Sequence, residues 1–429
     1  MNGWIIFILL IALMFTGMPI SIALGLTVLA FLFFLTDMPV EIVSQRLFTG
    51  LDQFAIMAIP FFILAGTFLT HGGVARRMIR FATALVGHLH GGLAIAGVFA
   101  CALFAAVSGS SPATVVAIGS ILIPAMEKQG YPKKFGVGVI GTAGCLGILI
   151  PPSIVMVIYA VSTNTSVGKL FIAGVVPGIL LACILMGITW VIARRRNYPR
   201  MQRSSLKEVW VAFREAIWGL ALIFVVIGGI YGGVFTPTEA AAMSAVYAFI
   251  VAVFIYKDLR WKDVPRVLLD SANMSAMLLY IITNAILFSF LLTSEHIPQA
   301  MAQWIIDKEL SVWVFLLGVN LILLVAGNFM EPSSIVLLLA PILFPVAVKL
   351  GVDPIHFGII MTINMEVGLI HPPVGLNLYV ASGIAKMGLT ETTIAFAPWI
   401  VVMVLFLLLV TYVPEIAMWL PNLLYNKAP

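Results

Sequence analysis

The sequence predicts an all-α polytopic membrane protein built from two repeats of opposite orientation, and three observations carry that prediction. Hydrophobic residues make up 62% of the 429 residues, charged residues 10%, and mean hydropathy is +1.13, values outside the range of soluble globular domains. A shift of 221 positions lays Pro124, Gly130, Gly147, Pro151, Pro152 and Pro177 onto Pro345, Gly351, Gly368, Pro372, Pro373 and Pro398 without a gap. Loops at equivalent places carry opposite charge. The loop with Asp37, Glu41, Arg46 and Asp52 answers to one with Lys257, Arg260, Lys262 and Arg266, and the loop with Arg76, Arg77 and Arg80 answers to one with Glu295, Asp307, Lys308 and Glu309. Basic loops mark the cytoplasmic face. Equivalent loops therefore fall on opposite faces, an inverted-topology repeat of the kind secondary transporters use to alternate access to a central site.

In chain order, apolar runs at about 4–16 and 18–36 meet at Gly17-Met18-Pro19, and a third covers about 54–70. No basic residue precedes the first run, so it is read as a retained helix and not as a cleavable signal. The second half has runs at about 216–235, 238–256 and 270–292. Thr236-Pro237-Thr238-Glu239 reads as a capped helix start. The resulting organisation is regular helices at 1–84, a broken half at 85–190 with a hairpin at about 108–127, a basic cytoplasmic linker at 191–215, regular helices at 216–310, a second broken half at 311–395 with a hairpin at about 328–349, and a C-terminal helix at 396–429. Within the linker, Lys207, Trp210, Phe213, Arg214 and Trp218 read either as an interfacial amphipathic helix or as a solvated connection. The net charge of +5 resides in loops and is no nucleic-acid signature. Cys101, Cys145 and Cys183 lack metal or disulfide spacing and are expected as small packing residues. Gly136-Val137-Gly138-Val139-Ile140-Gly141 sits in no βαβ unit and reads as a helix-packing surface. There is no GxxxxGK[ST], which excludes ATP hydrolysis by that route.

Four clusters interrupt the apolar runs of the broken halves: Ser108–Thr114, Gly144–Ser153, Gly327–Ser334 and Asn364–Gly375. Unpaired backbone survives at membrane depth only when buried in protein or lining a polar cavity. Runs of about 18 residues between the clusters are too short for two crossings, so they predict re-entrant hairpins with tips at Ser110–Pro112 and Pro332–Ser333. Half-helix N-termini suit an anion, and unwound carbonyls with hydroxyl oxygens suit sodium. Each Ser or Thr also admits a bond to its own helix, and each Gly a close helix crossing. Glu366 reads either as a proton or cation carrier or as a hydrogen-bonded carboxyl of the bundle. Glu331 is expected to be exposed at a hairpin tip, and His371 either touches substrate or is structural. Lys and Arg are nearly absent from the apolar interior, which argues that an anionic substrate is neutralised by helix termini, hydroxyls and co-bound cations.

SGSSPATVVAIGSILIPAM, GCLGILIPPSIVMVIYA, VFTPTEAAAMSAVYA and NMEVGLIHPPVGLNLYVASGIA resemble the large membrane subunit, DctM type, of TRAP (tripartite ATP-independent periplasmic) transporters, along essentially the whole chain. The resemblance implies scaffold helices plus an elevator-type transport domain with two hairpins, in a bacterial inner-membrane secondary transporter and not an enzyme. It also implies sodium-coupled import of an organic acid, with C4-dicarboxylates favoured over sialic acid, a periplasmic binding protein and a small membrane subunit, here expected as a separate chain. Carried over by motif, substrate contacts fall to Ser110, Ser111, Thr114, Ser153, Asn328, Ser333, Ser334, Asn364 and Asn377. Sodium falls to Ser108, Ser111, Gly144, Gly147, Pro151, Gly327, Asn328, Ser333, Gly368 and Pro372. The family often has Thr where this chain has His371. A stand-alone carboxylate transporter is the competing reading. An enzyme is disfavoured because no base lies within motif spacing of a serine.

Overall fold

The computed structural model describes residues 3–36, 39, 41–328, 330–373 and 375–425; Met1, Asn2, Asp37, Met38, Val40, Phe329, Val374 and the last four residues of the expected C-terminal helix, 426–429, lie outside them. Among the described residues there are twenty-one α-helices and no strand. The first half runs α1 (Gly3–Phe15), α2 (Ile20–Leu35), α3 (Glu41–Leu51), a 3₁₀ turn at Phe54–Met57, α4 (Ala58–His71), α5 (Val74–Val86), α6 (Gly92–Ser108), α7 (Ser111–Lys128), α8 (Lys133–Ala143), α9 (Leu146–Leu149), α10 (Ile154–Thr163) and α11 (Val167–Arg195). The second half runs α12 (Leu206–Tyr231), α13 (Pro237–Ile250) continued by a π-helical turn to Ile255, α14 (Val264–Ser294), α15 (Ile297–Asp307), α16 (Val312–Gly327), α17 (Pro332–Lys349), α18 (Pro354–Ile370), α19 (Leu376–Ala385), α20 (Leu389–Tyr412) and α21 (Glu415–Tyr425).

Helix bounds repeat at the offset read from the glycines and prolines. Moving α7 by 221 positions gives both ends of α17, and α6, α10 and α11 fall within a few residues of α16, α19 and α20. The halves differ where α3, the 3₁₀ turn and α4 answer to the single helix α14. Gly50, of a residue type with low helix propensity, stands there against Ser271.

Burial separates the two kinds of helix. In the apolar window of Lys133–Thr163, which contains the predicted break, 94% is buried within the protein, against 33% for Leu206–Tyr231. The broken segments are thus shielded by protein, as interrupted backbone at membrane depth requires, while the regular spans turn side chains outward. Among the described residues, eight helical stretches are long and apolar enough to cross a membrane.

Several boundaries differ from the sequence reading. The linker contains no separate helix. Ser205 and Glu208 form a reciprocal capping box, and with no proline before Tyr231 the expected interfacial segment becomes the first turns of α12. The last span starts at Leu389, not 396, so Pro398 lies inside it. The Thr236–Glu239 capping box is present as expected. Cys101 and Cys145 are buried, but Cys183 is exposed. It lies on α11, whose most apolar window is only half buried, and so does not pack in the core.

The basic segments gather at one end. Arg76 Nη2 lies 3.0 Å from Asp258 Oδ1 and Arg80 Nη1 2.6 Å from Glu215 Oε2, joining the first half to the loop after α13 and to α12. The linker closes over the same end, where Gly91 N–H donates to Pro199 O (3.2 Å), Met201 N–H to Gly87 O (3.0 Å) and Tyr131 Oη to Pro199 O (2.8 Å).

Candidate functional site

Two hairpins, α6–α7 and α16–α17, bring their tips against two broken helices. At the first tip α6 ends at Ser108, and Gly109, at φ +60°, reverses the chain in a conformation that costs glycine least. Ser110 is the N-cap and α7 begins at Ser111. The tip is Gly109–Ser110, slightly before the expected Ser110–Pro112, because Pro112 fits the first helical turn, where a missing N–H costs nothing. At the second tip Asn328 follows α16 and Glu331 is the N-cap of α17. The expected Pro332–Ser333 is again already helix.

The first tip is a knot of hydroxyls. Thr114 Oγ1 donates to Ser110 O (2.8 Å) and pairs with Ser108 Oγ (2.8 Å), which also reaches Ser110 O at 3.3 Å. Ser108, Ser111 and Thr114 are buried. Gly147 of the broken helix lies so close that a Cβ there would stand 2.6 Å from Ser110 O and 2.8 Å from Ser111 Cα. Ile154 N–H, just past the Pro151-Pro152 break, donates to Gly109 O (3.4 Å). Ser153 Oγ accepts from Met156 N–H (3.3 Å) and caps α10. Gly144 packs on the Val115 side chain. This concentration of neutral oxygen donors has the character a hard cation such as sodium takes. Among the described residues no group of His, Cys, Asp and Glu could hold a metal ion.

The second tip uses other chemistry. The Glu331 carboxylate accepts from Ser334 N–H and Ser334 Oγ, both at 3.1 Å. His371 Nδ1 lies 2.6 Å from Asn328 Oδ1 and 2.7 Å from Pro372 O. Both partners are oxygens, so Nδ1 carries the proton and donates. A Cβ on Gly368 would lie 2.9 Å from Gly327 Cα, which holds this tip to its own broken helix. A cavity of about 120 Å³ opens beside it, lined by Gly327, Met330, Glu331, Pro332, Met365, Gly368 and neighbours.

The halves are joined at the first tip. Asn377 Nδ2 donates to Ser111 Oγ (2.8 Å) and also approaches Gly141 O (3.4 Å) and Cys145 Sγ (3.5 Å). Cys145 Sγ donates to Glu366 O (3.4 Å), and these two residues occupy the same place in the two repeats. Sequence reasoning missed this contact because the repeat places unlike residues there. Glu366 is fully buried, and no described residue hydrogen-bonds its Oε1 or Oε2. Asn364 is turned elsewhere: its Nδ2 donates to Asn320 Oδ1 (2.8 Å) and Ile360 O (2.9 Å), and Asn320 Nδ2 donates to Thr411 Oγ1 (3.0 Å). This chain ties α16, α18 and α20 together. Asn320, an amide within an apolar run, was the available signal for it.

Four helix N-termini thus lie at the tips and breaks, and they differ. Those of α10 and α17 are closed by Ser153 and Glu331, whereas Ser110 at α7 and Gly375 at α19 make no side-chain cap. The Asn377–Ser111 bond brings the two uncapped ends together.

Residues 7–416 match the family described as tripartite ATP-independent periplasmic transporter, DctM component. The chain belongs to this family. TRAP permeases of this type are transporters and not enzymes, and the chain is accordingly a multi-pass protein of the bacterial inner membrane. The C4-dicarboxylate TRAP transporter large permease protein DctM of Rhodobacter capsulatus is 68% identical, over 99% of this chain and 100% of that protein. The sialic acid TRAP transporter large permease protein SiaM of Vibrio cholerae is 34% identical, over 98% and 97%. Among solved structures, the YdaH transporter of Alcanivorax borkumensis matches with a TM-score of 0.64 at 16% identity, over 92% of this chain and 91% of that one. That likeness concerns the fold. Membership of a tripartite family implies a periplasmic binding protein and a small membrane subunit as partners.

Proposed function

We propose that this TRAP permease imports a C4-dicarboxylate together with sodium, receiving it from a periplasmic binding protein and working beside a small membrane subunit. The observation that carries the reading is the meeting of the uncapped N-termini of α7 and α19 at the Ser111–Asn377 contact. N–H groups without a side-chain cap and two helix dipoles favour a carboxylate there, and among the described residues no Lys or Arg is buried to compete. Ser110, Ser111 and Asn377 would hold one carboxylate. The end of α17 already carries its own carboxylate in Glu331 and is a poorer anion site, so Asn328, Ser333 and Ser334 would serve the rest of the substrate and a cation. Asn364, with its amide hydrogens engaged in the bundle, is left out of the substrate set.

Sodium would be held by oxygens of the Ser108–Thr114 tip with carbonyls near Gly144, Gly147 and Pro151, and by the corresponding groups near Gly327, Gly368 and Pro372. Two sodium ions balance a dicarboxylate. A third would let the membrane potential assist uptake, at about 2.3 kcal/mol per charge per 100 mV. The matching helix bounds of the two halves and their opposite loop charges support an inverted repeat. The hairpins and broken helices would then move as one body against α4, α13 and α14, in the manner of an elevator. The choice of a C4-dicarboxylate over sialic acid rests on the higher identity to the dicarboxylate permease.

The test is uptake of labelled succinate and sialic acid by proteoliposomes holding this chain and its small subunit, with and without a sodium gradient and binding protein. Succinate entry that needs both is the expected result. Uptake without the binding protein would move the chain to the stand-alone carriers, and sialic acid entry alone would replace the substrate.

A further inference from the structure

The three arginines of α5 are not used by the transport site. This helix is amphipathic, with Val74, Ala75, Met78, Ile79 and Ala82 buried and Arg76 and Arg80 exposed one turn apart. Arg76 and Arg77 share the carboxylate of Asp258, and Arg80 takes Glu215. Two acids therefore answer three guanidinium groups. The groove between them has a volume of about 370 Å³ and is lined by Arg76, Arg77, Arg80 and Glu215. The Arg77 guanidinium carbon lies over the Tyr256 ring, 3.7 Å from its centroid, while the side chains of Arg76 and Arg80, though each ion-paired, remain 65% and 61% exposed and keep further N–H donors for a ligand.

Beside the groove, Lys207, Trp210, Arg214 and Trp218 of α12 recur at spacings of three and four and are all exposed, which puts them in one stripe. Phe213 links that helix to α5, with its ring 5.6 Å from Phe81 and 5.6 Å from Trp210. Tryptophans interleaved with cations at the end of a spanning helix lie at the headgroup level. The cytoplasmic leaflet, which the basic end faces, is where anionic lipids attract such residues.

We infer that the Arg76–Arg77–Arg80 groove binds the phosphodiester of an anionic phospholipid, whose acyl chains descend along the Trp210–Trp218 side of α12. Guanidinium forks match phosphate oxygens in bidentate geometry. The groove suits a headgroup and is too small to seat a helix of a protein partner. Glu215, already paired with Arg80, sets the selectivity: it disfavours a second anionic group in the groove and leaves room for one phosphate. The site is independent of the transport reading.

The experiment is native mass spectrometry of the complex of this chain with its small subunit, delipidated and then offered phosphatidylglycerol or phosphatidylcholine. The wild type is expected to retain phosphatidylglycerol with at least about tenfold preference. R76Q/R80Q should lose that preference, and Lys133→Gln with Lys134→Gln should keep it. The single change Arg80→Gln leaves both contacts to Asp258 intact and should lower retention several-fold, so the outcome does not depend on the double variant folding. Equal retention by wild type and R76Q/R80Q overturns the assignment. So does displacement of the lipid by equimolar inorganic phosphate, which would make this a soluble-phosphate site. Retention seen only after removal of the small subunit also overturns it, since the face would then belong to that partner.

Discussion

The two hairpin tips occupy equivalent places in the repeat and are built from different chemistry. The first is closed by hydroxyls, with Ser108, Thr114 and Ser110 bonded to one another, and is packed by its backbone onto Gly147. The second is held by a carboxylate and an imidazole, Glu331 on Ser334 and His371 on Asn328, beside a cavity. The repeat sets where each chain reversal falls, because that depends on Gly and Pro placement. What each reversal can bind depends on residues the repeat does not share. The difference teaches that one tip offers a free helix end, and the other a helix end that is already satisfied.

The largest expected effect comes from testing the packing. Gly147→Ala drives a Cβ into the backbone of a buried tip with no room to yield, and overpacking of this kind costs about 1–3 kcal/mol. Uptake should fall on the order of tenfold to a hundredfold. The equivalent Gly368→Ala meets Gly327 beside the cavity and should lose only a few-fold; equal losses would break the comparison. Next, Asn377→Ala removes the bond that joins the halves and leaves buried Ser111 Oγ without it, at a cost of about 1–3 kcal/mol. Transport at saturating sodium should drop about tenfold with the apparent affinity for succinate weakened, whereas an unchanged affinity would move the anion away from α7. Replacing Glu331 with Ala uncaps α17 and should lower thermal stability by about 0.5–2 kcal/mol, measured by melting of the purified complex. Smallest, Arg80→Ala breaks an ion pair between exposed groups and should change stability by at most about 1 kcal/mol with uptake preserved.

Much of this architecture was legible in the sequence. Pro151-Pro152 and Pro372-Pro373 mark the breaks because few other residues stop a helix so firmly, and the spacing of 221 was visible without coordinates. The division of labour among polar residues was not. Ser110 and Ser153 look alike in sequence, yet Ser153 caps its helix and Ser110 does not. Asn364 and Asn377 both sit in the same motif, but one faces Asn320 within the bundle and the other crosses to Ser111. Those outcomes depend on side-chain direction around a helix whose neighbours come from the other half of the chain. Of the two readings of the Lys207–Trp218 segment, the helix is the one present; its fusion with the following span was hidden by the polarity of the linker, where the Ser205–Glu208 box starts a helix that runs on as α12.

The most direct test of the central claim, that both tips bracket one substrate site, is substrate protection of single cysteines at Ser110 and at Ser333. Each would be placed in a chain with Cys101, Cys145 and Cys183 replaced, and the rate of labelling by a small polar thiol reagent followed. Succinate with sodium is predicted to slow labelling at both positions over the same concentration range, and neither succinate in potassium nor sodium alone should do so fully. Protection at one tip only, or at both without sodium, would contradict a shared sodium-coupled site.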